Sequence, residues 1–227
     1  PAKGDDWDDM PIFARKLARS HAHKNMHNGL SDHEHIVKHK EWDNTLRAYQ
    51  ASVAFVDAQI GRFLDALATN PRGRETIVML TSDHGWHLGE KKHWCKGAIW
   101  EQTLRIPFIV RAPGVKAGSV CEEPVSLIDV YPSLVDLAGI PIPEFLDGES
   151  IQPQLQDPTA PRDPALSMYG EDNFSIRDPN WRYIRYEDGS EELYHHAKDP
   201  NEWVNLAEDP EHAEVKERLA KFIPETP

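Results

Sequence analysis

A short apolar run, Thr76-Ile77-Val78-Met79-Leu80, gives way almost at once to Ser82-Asp83-His84-Gly85, and this junction limits the fold more than any other stretch. The run is rich in β-branched residues and bounded by polar ones, so it reads as a buried strand. In an open α/β sheet, ligands bind just beyond the carboxyl ends of strands. The carboxylate of Asp83 and the imidazole of His84 fall at that place, followed by a permissive glycine. They are expected to make half of a metal site. His87, Glu90, His93 and Lys96 follow, and a lysine there could hold an anion that the metal also contacts. That is the chemistry of metal-assisted ester hydrolysis.

The elements around this junction alternate. From Trp42 to Ala68, residues Leu46, Tyr49, Val53, Val56, Ile60, Phe63 and Leu67 recur every three or four positions. That spacing predicts a helix with one apolar stripe, expected to pack as core against the strand that presents Asp83 and His84. Asn70-Pro71-Arg72-Gly73 stops it. Ile106 to Val110 reads as a second strand, with Pro107 near its start or at an edge. Ser126 to Ala138 reads as a short helix with Pro132 in its first turn and Gly139 just past its end. A proline-rich connector follows from Pro141 to Pro164. Trp181 to Tyr186 and Glu191 to Tyr194 then flank Asp188-Gly189 as a β-hairpin. Glu211 to Phe222 is a terminal helix with Val215, Leu219 and Phe222 on its apolar side. The fold class expected is α/β, with a small antiparallel sheet and a helix at the C-terminal end.

Charge and cysteine content narrow the partners. A net charge of −13 lacks the basic footprint that nucleic-acid phosphates require. Cys95 and Cys121 are the two cysteines, too few for a disulfide framework. No apolar run approaches the roughly 20 residues of a membrane-spanning helix. The histidines at 21, 23, 27, 33, 35 and 39 crowd a polar segment, and His23/His27 and His35/His39 have helical i,i+4 spacing. His33-Glu34 lacks the second histidine of a zincin helix, so these residues are expected at the surface or a pocket rim. Asp5-Asp6 and Asp8-Asp9 read as a solvated loop and a helix start. With Pro1 in first place and no leader pattern, the chain is expected to begin inside a longer protein.

The run S-D-H-G-W-H-L-G-E-K-x-H-W-x-K at Ser82 to Lys96, then W-E-x-x-L-R-I-P-F-I-V-x-A-P-G from Trp100, resembles the second half of a sulfatase. More narrowly, it is similar to the iduronate-sulfatase-like and choline-sulfatase-like members of the alkaline phosphatase superfamily. The resemblance continues through Val125 to Leu134, Leu146-Asp147-Gly148-Glu149-Ser150, Leu193-Tyr194, and Asp199-Pro200-Asn201-Glu202 with Asn205-Leu206. It implies that residues 1–157 form the C-terminal part of the catalytic α/β domain and 158–227 a small α+β subdomain. It also implies that Asp83 and His84 bind a divalent cation, calcium ahead of magnesium or manganese. A single imidazole is slightly unusual for calcium, which prefers oxygen donors. Lys96 matches the family lysine that contacts the sulfate group and neutralises charge as the S–O bond breaks. His93 and His87 are the weaker candidates, either able to donate to the leaving oxygen or to a sulfate oxygen.

What the resemblance requires and the sequence does not contain is equally specific. The family nucleophile is a formylglycine made from the first residue of a Cys- or Ser-x-Pro-x-Arg motif, and an early Asp-Asp pair binds the metal. Cys95 is followed by Lys96-Gly97-Ala98-Ile99, which has neither the proline nor the arginine. The expected function is therefore the C-terminal portion of a sulfatase acting on a sulfate ester, sulfated saccharides among the candidates. Its partner is the missing N-terminal half of the same protein, and the chain alone is expected to be inactive. Two alternatives stand beside this: a phosphonate monoester hydrolase or phosphodiesterase of the same superfamily, and a non-catalytic cation-binding module. The resemblance favours a periplasmic or secreted protein; the residues themselves leave the compartment open.

Overall fold

The computed structural model describes residues 6–19 and 27–224. Of the residues singled out above, Asp5, His21 and His23 lie outside this set. Three helices lead: α1 (Ile12–Arg19), α2 (Asp32–His39) and the 28-residue α3 (Trp42–Thr69). A capping box starts α2, with Ser31 accepting from the Glu34 amide and Glu34 accepting from the Ser31 amide. After a tight turn come β1 (Val78–Thr81), the short hairpin strands β2 (His87–Leu88) and β3 (Trp94–Cys95), α4 (Glu101–Leu104) and β4 (Phe108–Arg111). β1 and β4 pair antiparallel, Val78 opposite Arg111 and Thr81 opposite Phe108. Pro107 immediately precedes β4, where it removes no ladder hydrogen bond.

Two expectations about burial are corrected here. The β1 strand is only half-buried along its length, because β4 is its one neighbour in a two-stranded sheet among the described residues. The α3 stripe forms no core. No residue of this helix is buried, and Val53, Val56 and Phe63 are each more than half exposed. The helix touches its surroundings chiefly near its start, where Trp42 meets Trp94 edge-on at 4.9 Å and Tyr49 lies 6.3 Å from Trp86. The periodicity does mark a helix, but nothing among the described residues covers its apolar face.

The second half is where the core sits. A 3-10 turn at Leu127–Asp129 leads into α5 (Val130–Leu137), with Pro132 in its first turn and Gly139 left-handed at φ +70° just beyond. The short α6 (Gln152–Gln156) follows, then a four-stranded antiparallel sheet in simple meander order. Its strands are β5 (Ala165–Tyr169), β6 (Asn173–Arg177), β7 (Trp181–Arg185) and β8 (Glu191–His195). Asp188-Gly189 forms the turn between the last two, as the Asp-Gly signal predicts. β6, β7 and β8 are buried at consecutive positions, because both faces of the sheet are covered. On one face Phe174, Ile176, Tyr183 and Leu193 pack with Ala207, Leu219 of α7 (Ala213–Ala220) and Ile223. On the other, Ile184, Tyr186 and Tyr194 pack with Met10, Ala14, Leu17 and Ala18 of the α1 region and with Ala98-Ile99-Trp100. The chain is thus a mixed α/β structure whose C-terminal sheet is closed on one side by its own N-terminal helix.

Candidate active site

Asp83 and His84 stand one turn beyond the end of β1, as the sequence predicts, and the backbone that follows explains the turn. The Gly85 amide donates to the Thr103 carbonyl at 2.6 Å and the Trp86 amide to the Gln102 carbonyl at 2.7 Å. A Cβ on Gly85 would lie 2.2 Å from the Gln102 carbonyl oxygen, so only glycine allows the turn to dock on α4. The Ser82 hydroxyl donates to the His84 carbonyl at 2.9 Å. Asp83 is held by the His84 amide, which donates to Oδ1 at 3.1 Å, while its side chain stays 83% exposed.

The tautomer of His84 follows from its surroundings. Nδ1 lies 2.8 Å from the Gly85 carbonyl oxygen, which can only accept, so Nδ1 carries the proton. Nε2 is left facing Asp83 Oδ2 at 3.5 Å. A histidine that donates one ring N–H to a backbone carbonyl and presents the other nitrogen beside a carboxylate is arranged as metal-ligating histidines are. These two donors therefore fit part of a divalent-cation site open to solvent, and the rest of the coordination shell must come from elsewhere.

The segment from Gly89 to Glu101 carries the other candidates. Gly89 is left-handed, φ +111°, and a Cβ there would run into the Trp42 ring at 2.3 Å. Glu90 stabilises the loop by accepting from the Leu88 amide at 2.6 Å. His93 is buried between two carbonyls, with Nδ1 2.8 Å from Ala18 O and Nε2 3.1 Å from Lys96 O. His87 is fully buried, 4.9 Å from the His93 ring and edge-on to it, with Nδ1 3.3 Å from the Glu90 carbonyl. Burial, and next the neighbouring His93, push the His87 imidazole well below its ordinary range, so it is neutral. Lys96 is exposed. The hairpin ladder ends at His87 opposite Cys95, which is left-handed at φ +70°, and Lys96 follows it; the Trp86 ring lies 6.0 Å from that of His84. Trp94 and Trp100 are packed inside.

Beneath this surface lies a network that the sequence reading missed. Arg182 of β7 is buried and donates through Nε to Glu202 Oε1 at 2.6 Å, to the Ser175 hydroxyl at 2.7 Å, and to Glu101. His196 Nε2 donates to the same Glu202 oxygen at 2.9 Å, and the Glu101 amide donates to Glu202 Oε2 at 2.9 Å. Glu101, His196 and Glu202 converge as metal ligands do, but the guanidinium of Arg182 already bridges the two carboxylates, so the cluster is an ion-pair core. Lys91, also buried, donates to Asp6 Oδ1 at 3.2 Å and to the Glu202 carbonyl at 2.6 Å. This corrects the expectation that Asp6 is solvated: it is 2% exposed, because a buried ammonium needs a counter-charge. Asp9 remains exposed, accepting from the Asn205 amide. The sequence signal for this network is the Asp199-Pro200-Asn201-Glu202 motif, whose last residue is its hub.

These carboxylates titrate in opposite directions. Burial would push Glu202 up, but the Arg182 guanidinium, the His196 hydrogen bond and Lys91 hold it at about 2, against an ordinary 4.5. A lowered carboxyl contributes stability that is present above the unfolded value and lost as pH falls through the folded one. Here that means on the order of 3 kcal/mol lost between about pH 4.5 and 2. Glu192 is raised, chiefly by burial, despite Lys91 and hydrogen bonds from Trp100, Tyr194 and Tyr186. Its contribution is complete below pH 4.5 and is lost as pH rises. Urea unfolding of residues 1–227 at pH 3, 4.5 and 7 should show Glu202→Gln with a flatter acid limb. Glu192→Gln should bring the stability at pH 7 closer to that at pH 4.5. Parallel pH profiles for wild type and both variants would contradict these assignments.

Comparison with known proteins bears on the same residues. A family model described as Sulfatase matches residues 15–140, and one described as N-sulphoglucosamine sulphohydrolase, C-terminal, matches 89–226. A sulfatase of Formosa agariphila is 34% identical over 227 residues, covering all of this chain and 43% of the relative. A choline-sulfatase of Rhizobium meliloti is 33% identical over 172 residues, covering 72% of this chain and 33% of the relative. A solved structure in complex with its substrate D-glucosamine-2-N,6-O-disulfate superposes with TM-score 0.69 at 30% identity, covering 80% of this chain and 40% of that one. A phosphonate monoester hydrolase from Silicibacter pomeroyi superposes with TM-score 0.77 at 27% identity, covering 97% and 47%. The chain spans less than half the length of each.

Proposed function

Because this chain belongs to the sulfatase family, we propose that it is the C-terminal portion of an enzyme that hydrolyses sulfate esters, sulfated sugars among them. The nucleophile, a formylglycine by family resemblance, would lie outside residues 1–227. The observation that carries this reading is the convergence of Asp83 Oδ2 and His84 Nε2, 3.5 Å apart on an exposed turn. Asp83 and His84 would hold one side of a divalent cation, which supplies positive charge to the ester oxygens when bound. Lys96 would add an ammonium for the sulfate oxygens, worth most where charge develops in the transition state. His93 would act mainly by fixing the Lys96 carbonyl. His87, neutral and buried, would shape the floor. The exposed apolar face of α3 would be covered by the rest of the fold, since a helix with such a stripe is stable chiefly through packing.

A second reading is favoured by the histidine ligand itself. An imidazole donor suits a softer transition-metal ion better than calcium, and a phosphonate monoester hydrolase superposes well on this chain. The test compares residues 1–227 alone with the complete polypeptide that carries them, using aryl sulfate and aryl phosphonate esters with calcium or manganese added. The sulfatase reading expects no turnover from 1–227 and metal-dependent sulfate-ester hydrolysis by the complete chain. Preferential phosphonate hydrolysis with manganese supports the second reading, and turnover by 1–227 alone defeats the assignment of the nucleophile to another segment.

A further inference from the structure

Both ends of the segment that carries His93 and Lys96 are fastened to one residue far away in sequence. At the front end, the Lys91 ammonium donates to the Glu202 backbone carbonyl at 2.6 Å; at the back end, the Glu101 amide donates to the Glu202 carboxylate at 2.9 Å. Glu202 is completely buried and left-handed, φ +57°. That conformation is uncommon outside glycine and marks a position that its surroundings over-determine. Its other carboxylate oxygen is taken by Arg182 and His196, so the residue cannot shift without breaking the sheet's own ion pair. Between the two anchors, the His93 ring sits between the carbonyls of Ala18 in α1 and Lys96 and donates to one of them.

We propose that Glu202 is a positioning residue: a clamp, built into the C-terminal sheet, that fixes the Lys91–Glu101 loop carrying Lys96 relative to the Asp83–His84 turn. The inference rests on the reading of Lys96 as the sulfate-contacting group. Glu101 is where the coupling reaches that turn, because it opens α4 and the Gly85 and Trp86 amides bond to the Thr103 and Gln102 carbonyls of the same helix. Clamp, loop and turn therefore form one hydrogen-bonded chain. A small displacement of the loop would misplace the ammonium relative to the ester, and catalysis is sensitive to placement at the level of about 1 Å.

The test has one arm that needs no substrate. In residues 1–227, Glu202→Gln removes the charge that binds Arg182 and His196. Amide hydrogen exchange is expected to speed at least tenfold more between residues 89 and 105 than in α7 and β6, which share only the global loss of stability. Unchanged rates at 89–105, or equal acceleration in α7 and β6, overturn the clamp. If Glu202→Gln does not fold, the pair Asp6→Asn with Lys91→Met decides alone, since it releases the front anchor and removes the Lys91 ammonium together with the carboxylate it pairs with. Faster exchange confined to residues 89–93 supports the clamp, and its absence overturns it. In the complete polypeptide, Glu202→Gln is expected to lower kcat for p-nitrophenyl sulfate at least tenfold at an unchanged half-saturating metal concentration. A variant with localised loosening but wild-type kcat overturns the positioning role. Absence of sulfatase turnover in the wild-type complete chain counts against the functional reading alone, which the exchange arm does not use.

Discussion

Asp83→Asn in the complete polypeptide should lower kcat/KM for an aryl sulfate by about three orders of magnitude, the several kcal/mol a bound cation contributes to transition-state charge. The substitution keeps the shape of the side chain and its acceptor for the His84 amide, and removes only the charge beside His84 Nε2. With a side chain 83% exposed and no buried partner, the same change in residues 1–227 should change the unfolding free energy by less than about 0.5 kcal/mol. The combination is what makes the result informative: a large catalytic loss without a stability loss places the carboxylate in the chemistry. Steady-state kinetics across a metal titration would check it. Undiminished turnover at every metal concentration would remove Asp83 from the site.

Trp100→Ala is expected to have the opposite signature. The indole is fully buried between α1 and the C-terminal sheet, and its Nε1 donates to the equally buried Glu192 carboxylate at 2.7 Å. Truncation of a buried tryptophan costs about 3–5 kcal/mol through lost transfer and the cavity left behind. Glu192 would in addition lose one of its three donors, the others being Tyr186 and Tyr194. Trp100→Phe should lie between, retaining most of the volume and losing the hydrogen bond. Chemical denaturation of residues 1–227, followed by far-ultraviolet circular dichroism, reads the order wild type, Phe, Ala. If Phe and wild type coincide, the bond to Glu192 contributes nothing net.

The sequence carried the turn at Asp83-His84 and the hairpin at Asp188-Gly189 because each is announced within a few residues. An apolar run ends in a polar cluster in one case, and a turn dipeptide separates two apolar segments in the other. It carried the extent of α3 but not its exposure: a stripe such as Val53, Val56 and Phe63 reports that a helix has an apolar face, not what lies against it. β5 and β6 were overlooked, since five-residue strands beside a proline-rich connector give little periodicity to read. The buried charges were the hardest. Asp6 and Lys91 stand 85 positions apart, and each alone has the character of a surface residue. Only their meeting makes burial affordable.

The pairing of α1 with the far sheet has a bearing on how this architecture can be recombined. Residues 10–18 supply one wall for strands that end near residue 194, while Asp9 and Asp6 reach Asn205 and Lys91. The terminal sheet is therefore no interchangeable cassette. A chimera that grafts residues 165–224 onto a related protein must bring matching versions of 6–18 and 91–101, or it inherits an ion-pair core with half its members foreign.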